Sequence, residues 1–174
     1  METLVVSKIK LSQQARKKKI LNDSFNKITC PEDAFMLANH FLKGDVKESL
    51  LVLSLNIKNH VEAVYECFSG TLNAAAVSPR EIYQFALLNN SAAIIVLHNH
   101  PSGDTTPSEA DIDFTKQLNM AGTLIDIDFL DHIIVSDSEY TSVREKRPDV
   151  LDVCSNSRLE LFVADGNEHY SKNK

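Results

Sequence analysis

Cysteine is scarce in this chain. Its three copies, Cys30, Cys67 and Cys154, lie far apart, are odd in number and form no C-x-x-C. That spacing excludes a zinc ribbon and a disulfide framework, and it favours a reducing, cytoplasmic setting. Long apolar runs are also missing, since nothing approaches the ~18 residues of a membrane span. The opening METLVVSKIKLSQQ lacks the long apolar stretch and small-residue cleavage site of a secretory signal. Basic charge is limited as well. The net charge is −6, and the one basic cluster is Lys8, Lys10, Arg16, Lys17, Lys18 and Lys19. A solvated charged arm is the ordinary reading of such a cluster. The acidic remainder offers no surface that would track phosphates. Internal repeats and low-complexity segments are absent.

What is present is ordinary globular composition, 43% hydrophobic and 24% charged. The 174 residues suffice for one domain and some tail. A domain near this size buries roughly two thirds of its unfolded surface and folds without staples. The chain divides into a basic N-terminal arm over residues 1–28, a domain over 29–149 and a C-terminal extension, partly disordered, over 150–174. Pro31, Glu32 and Asp33 suit the first turn of a helix. Ala34, Leu37, Ala38 and Phe41 keep its period, and Gly44 stops it. Two strands follow, about 49–57 and 61–68, joined at Lys58-Asn59, with the second more polar and nearer an edge. TLNAAAVS reads as a third short strand.

In SPREIYQFALLNN, Ser78 is the expected N-cap, Pro79 the first helical position and Glu81 the closing member of a capping box. AAIIVLH, residues 92–98, is an unbroken apolar run between turn signals, as in a central strand buried on both faces. SEADIDFTKQLNMAG is a third helix, capped by Ser108 and stopped by Gly122, and IDFLDHIIVSD is another buried strand. LELFVA in the C-terminal extension reads as an edge strand. The order predicts an α/β protein with a mixed β-sheet flanked by helices.

The stretch 97-LHNHPSGDTTPSEAD-111 carries the chemistry. Strand alternation aims residues i and i+2 the same way, so His98 and His100 share a side if the backbone stays extended. Asn99 then faces away. Pro101 and Gly103 turn the chain to Ser108, and Asp111 falls in the first turn of the helix that follows. Two imidazoles and one carboxylate are three protein ligands for tetrahedral zinc, with a fourth position left for water. Singly, each feature has a plainer reading: a hydrogen-bonded core histidine, a Pro-Ser-Gly turn, a Ser108-x-x-Asp111 capping box. Jointly, the pattern is far less ordinary.

This stretch resembles the JAMM motif of the MPN-type zinc metalloproteases, H-x-H-P followed at fixed distance by S-x-x-D. With LNAAAVSPREIYQFAL upstream and FLDHIIVSD downstream, roughly residues 29–148 are similar to the RadC-like branch of that family. The resemblance implies a cytidine-deaminase-like (JAMM/MPN) fold and one Zn2+ per chain held by His98, His100 and Asp111. It also implies that Ser108 supports an oxyanion and that a glutamate near the start of the first strand is the proton carrier. In KESLLVLSL that position matches Glu48. Glu81 is better explained by capping, and Glu62 and Glu66 by a solvated strand face. Asp131 and His132 read equally as partners orienting the ligands and as satisfied core polar groups.

The implied activity is metal-assisted hydrolysis of an amide bond by a metallopeptidase or isopeptidase-type enzyme acting on a protein or peptide substrate. A DNA-repair-associated role is the alternative. The three adjacent letters His-Asn-His are not an HNH nuclease signature, and residues 1–28 leave no room for the helix-hairpin-helix module that fuller members carry before this domain. Nucleic acid is therefore disfavoured as a partner, and no membrane is implied. A non-catalytic MPN-type binding module is a further alternative, although such modules characteristically lose the ligands that are present here. A zinc deaminase is excluded, for want of H-x-E and P-C-x-x-C. Substrate and oligomeric state are not set by the sequence.

Overall fold

The computed structural model describes residues 27–44, 46–70 and 77–151. At its centre two strands, β1 (Glu48–Leu55) and β3 (Ala93–Asn99), pair antiparallel, and nearly every residue in them is buried. Their Leu-, Ile- and Val-rich content suits strands that show apolar side chains to both layers. β2 (Val61–Gly70) pairs antiparallel with β1, β4 (Asp128–Val135) runs parallel to β3, and β5 (Tyr140–Ser142) pairs antiparallel with β4. The strand order is β2-β1-β3-β4-β5, so the expected mixed sheet is present and the more polar β2 lies at an edge.

Alternation along the strands sorts the core into two layers. Leu51, Leu53, Leu55, Ile95, Leu97 and Ile133 pack with Ala34, Leu37, Ala38 and Leu42 of α1 (Pro31–Leu42). Leu50, Val52, Ile94 and Val96 face the other way. They meet Ile82, Tyr83 and Ala86 of α2 (Pro79–Leu88) and Leu118 of α3 (Glu109–Ile125). Each of the Leu, Ile and Val side chains among these, fully buried, contributes about 1.5–3 kcal/mol. The ion pairs Lys116–Asp113 and Arg147–Asp149 are solvent-screened and add little. Stability therefore resides in the two-sided sheet core. No helix among the described residues is long and apolar enough to cross a membrane.

Local chemistry explains most of the boundaries. The Asp33 carboxylate accepts from the Thr29 hydroxyl (2.6 Å), the Thr29 amide (2.7 Å) and the Cys30 amide (3.2 Å), which fastens the start of α1. Those bonds, the Thr29 hydroxyl first, hold its pKa below the usual carboxylate value. Gly44, at φ 83°, sits in the turn that ends the helix. Asn56 closes the β1–β2 turn, its Oδ1 accepting from the amides of Lys58 and His60, and Asn59 adopts φ 59°. That side-chain turn ends β1 at Leu55, two residues before the expected limit.

Several expectations need correction. The Ser78 side chain makes no cap bond and Glu81 is exposed, so α2 starts on Pro79 without a capping box. Gly122 does not stop α3. The helix runs on to Ile125, and its end is set by Asp126 in the left-handed region at φ 58°, whose amide donates to the Gly122 carbonyl. β5, a four-residue helix α4 (Val143–Lys146) and a 3-10 turn (Pro148–Val150) follow β4, and the sequence reading placed none of them. The arm up to residue 26, residues 71–76 of TLNAAAVS and the LELFVA strand lie outside the described residues.

Gly122 has a different role. A Cβ there would lie 2.5 Å from the Ile127 carbonyl oxygen and 2.5 Å from the Tyr83 hydroxyl, which itself donates to the Leu118 carbonyl at 2.7 Å. Glycine lets α2 and α3 approach. At an open helix position Gly→Ala stabilises by about 1 kcal/mol. Gly122→Ala is expected instead to destabilise by about 1–3 kcal/mol through overpacking. Urea melts of the two proteins check this, and a higher midpoint for the variant would contradict it.

Candidate metal centre

β3 delivers the first two site residues. The His100 amide donates to the Val135 carbonyl at 2.9 Å, so the chain stays paired with β4 past the end of the strand. The alternation therefore holds through residue 100, and the His98 and His100 rings lie together, centroids 4.6 Å apart. The turn then closes with the Gly103 amide on the His100 carbonyl (3.0 Å) and Gly103 at φ 85°. α3 delivers the third residue. Its N-cap Ser108 accepts from the Asp111 amide at 3.2 Å, while Asp111 Oδ2 accepts from the Ser108 amide at 2.7 Å and hydroxyl at 2.6 Å. The capping box is real, and it also aims the carboxylate: Asp111 Oδ1 lies 3.5 Å from His98 Nε2, and Oδ2 lies 3.9 Å from His100 Nε2.

One ligand atom each from His98, His100 and Asp111 thus falls within 4.8 Å of the others. His98 and Asp111 are buried and His100 half-buried.

The hydrogen bonds around this cluster determine where the histidine protons sit. Thr115 Oγ1 donates its single proton to the Asp111 carbonyl at 2.7 Å. At its 2.7 Å contact with His132 Nδ1 the hydroxyl must therefore accept, which puts a proton on Nδ1. His132 Nε2 is left as an acceptor, 2.8 Å from His98 Nδ1, which then carries the proton. His98 Nε2 consequently presents a lone pair. His100 reaches the same state by a shorter route, because its Nδ1 lies 2.6 Å from the Asp104 carbonyl, which can only accept. Two lone pairs therefore face each other across 2.7 Å.

That arrangement calls for a cation between them. On His98 a proton is disfavoured, because burial first, then His132 and His100, holds its pKa well below the ordinary value. A metal ion satisfies both nitrogens and the carboxylate together, so the donor set fits one.

The remaining sequence-derived candidates separate clearly. Glu48 is half-buried at the start of β1. It lines a cavity of about 340 Å³ together with His98, His100, Ser108, Asp111 and His132. Leu50 pairs with His98 in the β1–β3 register, so Glu48, two residues earlier, shares that face opposite His100. Glu81, Glu62 and Glu66 are exposed, and none of them lines this cavity. His132 is bonded to His98, whereas Asp131 does not reach the cluster. Its carboxylate accepts from the Ser142 hydroxyl (2.5 Å), the Arg144 amide (3.0 Å) and the His132 amide (2.8 Å), fastening β5 and α4 to β4. Burial outweighs those bonds and raises its pKa.

A register shift between β3 and β4 explains the split. Ile94 pairs with Phe129 but Ile95 with Asp131, so His132 joins Phe129 on the α3 side. Thr115 was not singled out by the sequence reading. Its available signal was position, one helical turn after Asp111, with a hydroxyl able to bond a carbonyl four residues back.

Two outcomes follow. Thr115→Val removes the acceptor that fixes the His132 and His98 tautomers, and metal affinity should fall about 10–100-fold in a competition titration with a chelating dye. Thr115→Ser should retain affinity, and equal losses in both variants would contradict the relay. The second outcome concerns acid. Burial holds His132 near pKa 4 against an ordinary 6.5, and His98 is lowered as well. Between those values the unfolded chain binds more protons than the folded one, so stability of the metal-free protein falls as pH drops from 6.5 toward about 4. Denaturation midpoints across that window check it, and a flat profile would contradict it.

Comparisons with known proteins give the family. Residues 28–148 match the model of the RadC-like JAB domain. A UPF0758 protein of Shouchella clausii is 47% identical over 119 residues, covering 68% of this chain and 52% of the relative. One from Clostridium botulinum strain Langeland is 48% identical over 120 residues, covering 69% and 53%. The chain thus spans about half the length of the curated relatives it matches. With its mixed sheet flanked by helices and its His98–His100–Asp111 cluster at the end of β3, the chain belongs to the RadC-like JAB domain family.

Proposed function

We propose that this chain is a zinc-dependent hydrolase of the metallopeptidase or isopeptidase type, acting on an amide bond of a protein or peptide. One observation carries the reading: the three ligand atoms open onto the same cavity as a glutamate and a serine, Glu48 and Ser108. His98 Nε2, His100 Nε2 and Asp111 would hold one Zn2+. When bound, it supplies Lewis-acid polarisation of a carbonyl and a water of lowered pKa.

The other tasks fall to the chain's own residues. Glu48 takes a proton from the attacking water and passes it to the leaving nitrogen, a base and then an acid. Ser108 donates to the oxygen on which negative charge develops. Its hydroxyl proton is given to Asp111 Oδ2 in this structure, so the donation requires the hydroxyl to rotate away. The Ser108 amide, 2.7 Å from the same oxygen, keeps the carboxylate in place meanwhile. Leu50, Val77 and Phe114 give the cavity an apolar wall. A cytoplasmic setting suits the reading, and Cys30 and Cys67 are free thiols.

The test is a library of peptide and isopeptide substrates incubated with the zinc-loaded protein, with fragments read by mass spectrometry. Cleavage is expected for wild type. In Glu48→Gln, turnover should drop by about 10²–10⁴-fold while zinc stays bound. Full turnover in that variant would remove Glu48 from its role, and no amide cleavage by zinc-loaded wild type would contradict the hydrolase reading.

A further inference from the structure

Asn99 sits between the two histidine ligands, and alternation turns it away from them. There it makes two bonds to the neighbouring segment, one to β1 and one to the residue just before it. Its Oδ1 accepts from the Ser49 amide at 2.6 Å, and its Nδ2 donates to the Lys47 carbonyl at 2.9 Å. These are the residues on either side of Glu48. The β1–β3 ladder has its last paired residues at Leu50 and His98. Beyond that point the Asn99 carboxamide acts as one further peptide group, with one acceptor and one donor, and carries the pairing around Glu48. Asn99 is buried, 6% exposed, and its bond to Ser49 is shielded from water, while its bond to the exposed Lys47 is part-buried.

We propose that Asn99 is a positioning residue that sets the distance from Glu48 to the metal ligands, joining the proton carrier to the H-x-H segment through one side chain. The inference rests on the reading of Glu48 as that carrier. Only an amide of this length meets both contacts. Aspartate keeps the acceptor for Ser49 but turns a second acceptor toward the Lys47 carbonyl, and alanine loses both bonds. The ligands have separate supports in His132, the Asp104 carbonyl and Ser108, so the clamp serves Glu48 and not metal binding.

The experiment loads the full chain with cobalt(II) and follows the 13C carboxyl signal of Glu48, whose paramagnetic shift reports its distance from the metal. Wild type, Asn99→Ala and Asn99→Asp are compared, with Ser49 amide exchange measured on the metal-free proteins and thermal melts run in parallel. All three proteins are expected to bind cobalt with the same affinity and visible spectrum. Both variants should lose most of the Glu48 shift, whatever their melting points. Ser49 exchange should speed up by about tenfold in Asn99→Ala, as for loss of one buried hydrogen bond, and less in Asn99→Asp.

An unchanged Glu48 shift would overturn the proposal, and so would loss of cobalt together with the shift, which would assign Asn99 to the ligands. If wild type takes up no cobalt, the metal reading fails on its own. Ser49 exchange then decides the clamp: faster exchange in the variants upholds it, and equal exchange overturns it. If Asn99→Ala does not fold, Asn99→Asp gives the same decision.

Discussion

The hydrogen bond from the His100 amide to the Val135 carbonyl keeps β3 in register with β4 for one residue beyond Asn99. The site depends on that extension. With the backbone extended, His98 and His100 point to one side and Asn99 to the other. Were the turn to begin at residue 99, the second imidazole would leave the cluster and the grip on β1 would be lost. The parallel pairing that supplies the bond itself requires a crossover, and α3 provides it. The same helix brings Asp111 back to the end of β3. One topological unit, strand, turn and helix, therefore supplies all three candidate ligand atoms.

Burial gives the cluster its character. Unpaired polar groups in a dry core cost roughly 1–3 kcal/mol each, and this region holds His98, His132, Thr115 and Asp111 with little exposure. Each is satisfied by a partner that also constrains it. The proton order from Thr115 through His132 to His98 leaves a lone pair at one defined atom, and the Asp104 carbonyl does the same for His100. Two lone pairs so arranged are a poor fit for an empty apolar core and a good one for a cation. Support of this kind also makes geometry precise, since ligands held by packed neighbours do not wander.

How much of this could be read from the sequence depends on how local the cause was. AAIIVLH announced a central strand because its apolar run is continuous, and Ser108-x-x-Asp111 announced a helix start because capping acts over three residues. The spacing of His98, His100 and Asp111 followed from the same two local rules. What the sequence left open was tertiary. Which of Asp131 and His132 faces the ligands turns on a one-residue register shift against β3 that alternation alone would place the other way. Glycine commonly ends a helix, which makes Gly122 look like a stop, whereas the approach of Tyr83 from another helix is its actual reason. The partners of Asn99 lie 50 and 52 residues upstream, beyond any local pattern. β5 and α4, at three and four residues, are too short to carry a period.

The central claim is that His98, His100 and Asp111 form one metal site. Elemental mass spectrometry of the protein purified without chelator or histidine tag tests it most directly. About one zinc per wild-type chain, and none in His98→Ala, is the result the account predicts. Wild type that holds no zinc even after reconstitution, or His98→Ala that holds as much as wild type, would contradict it.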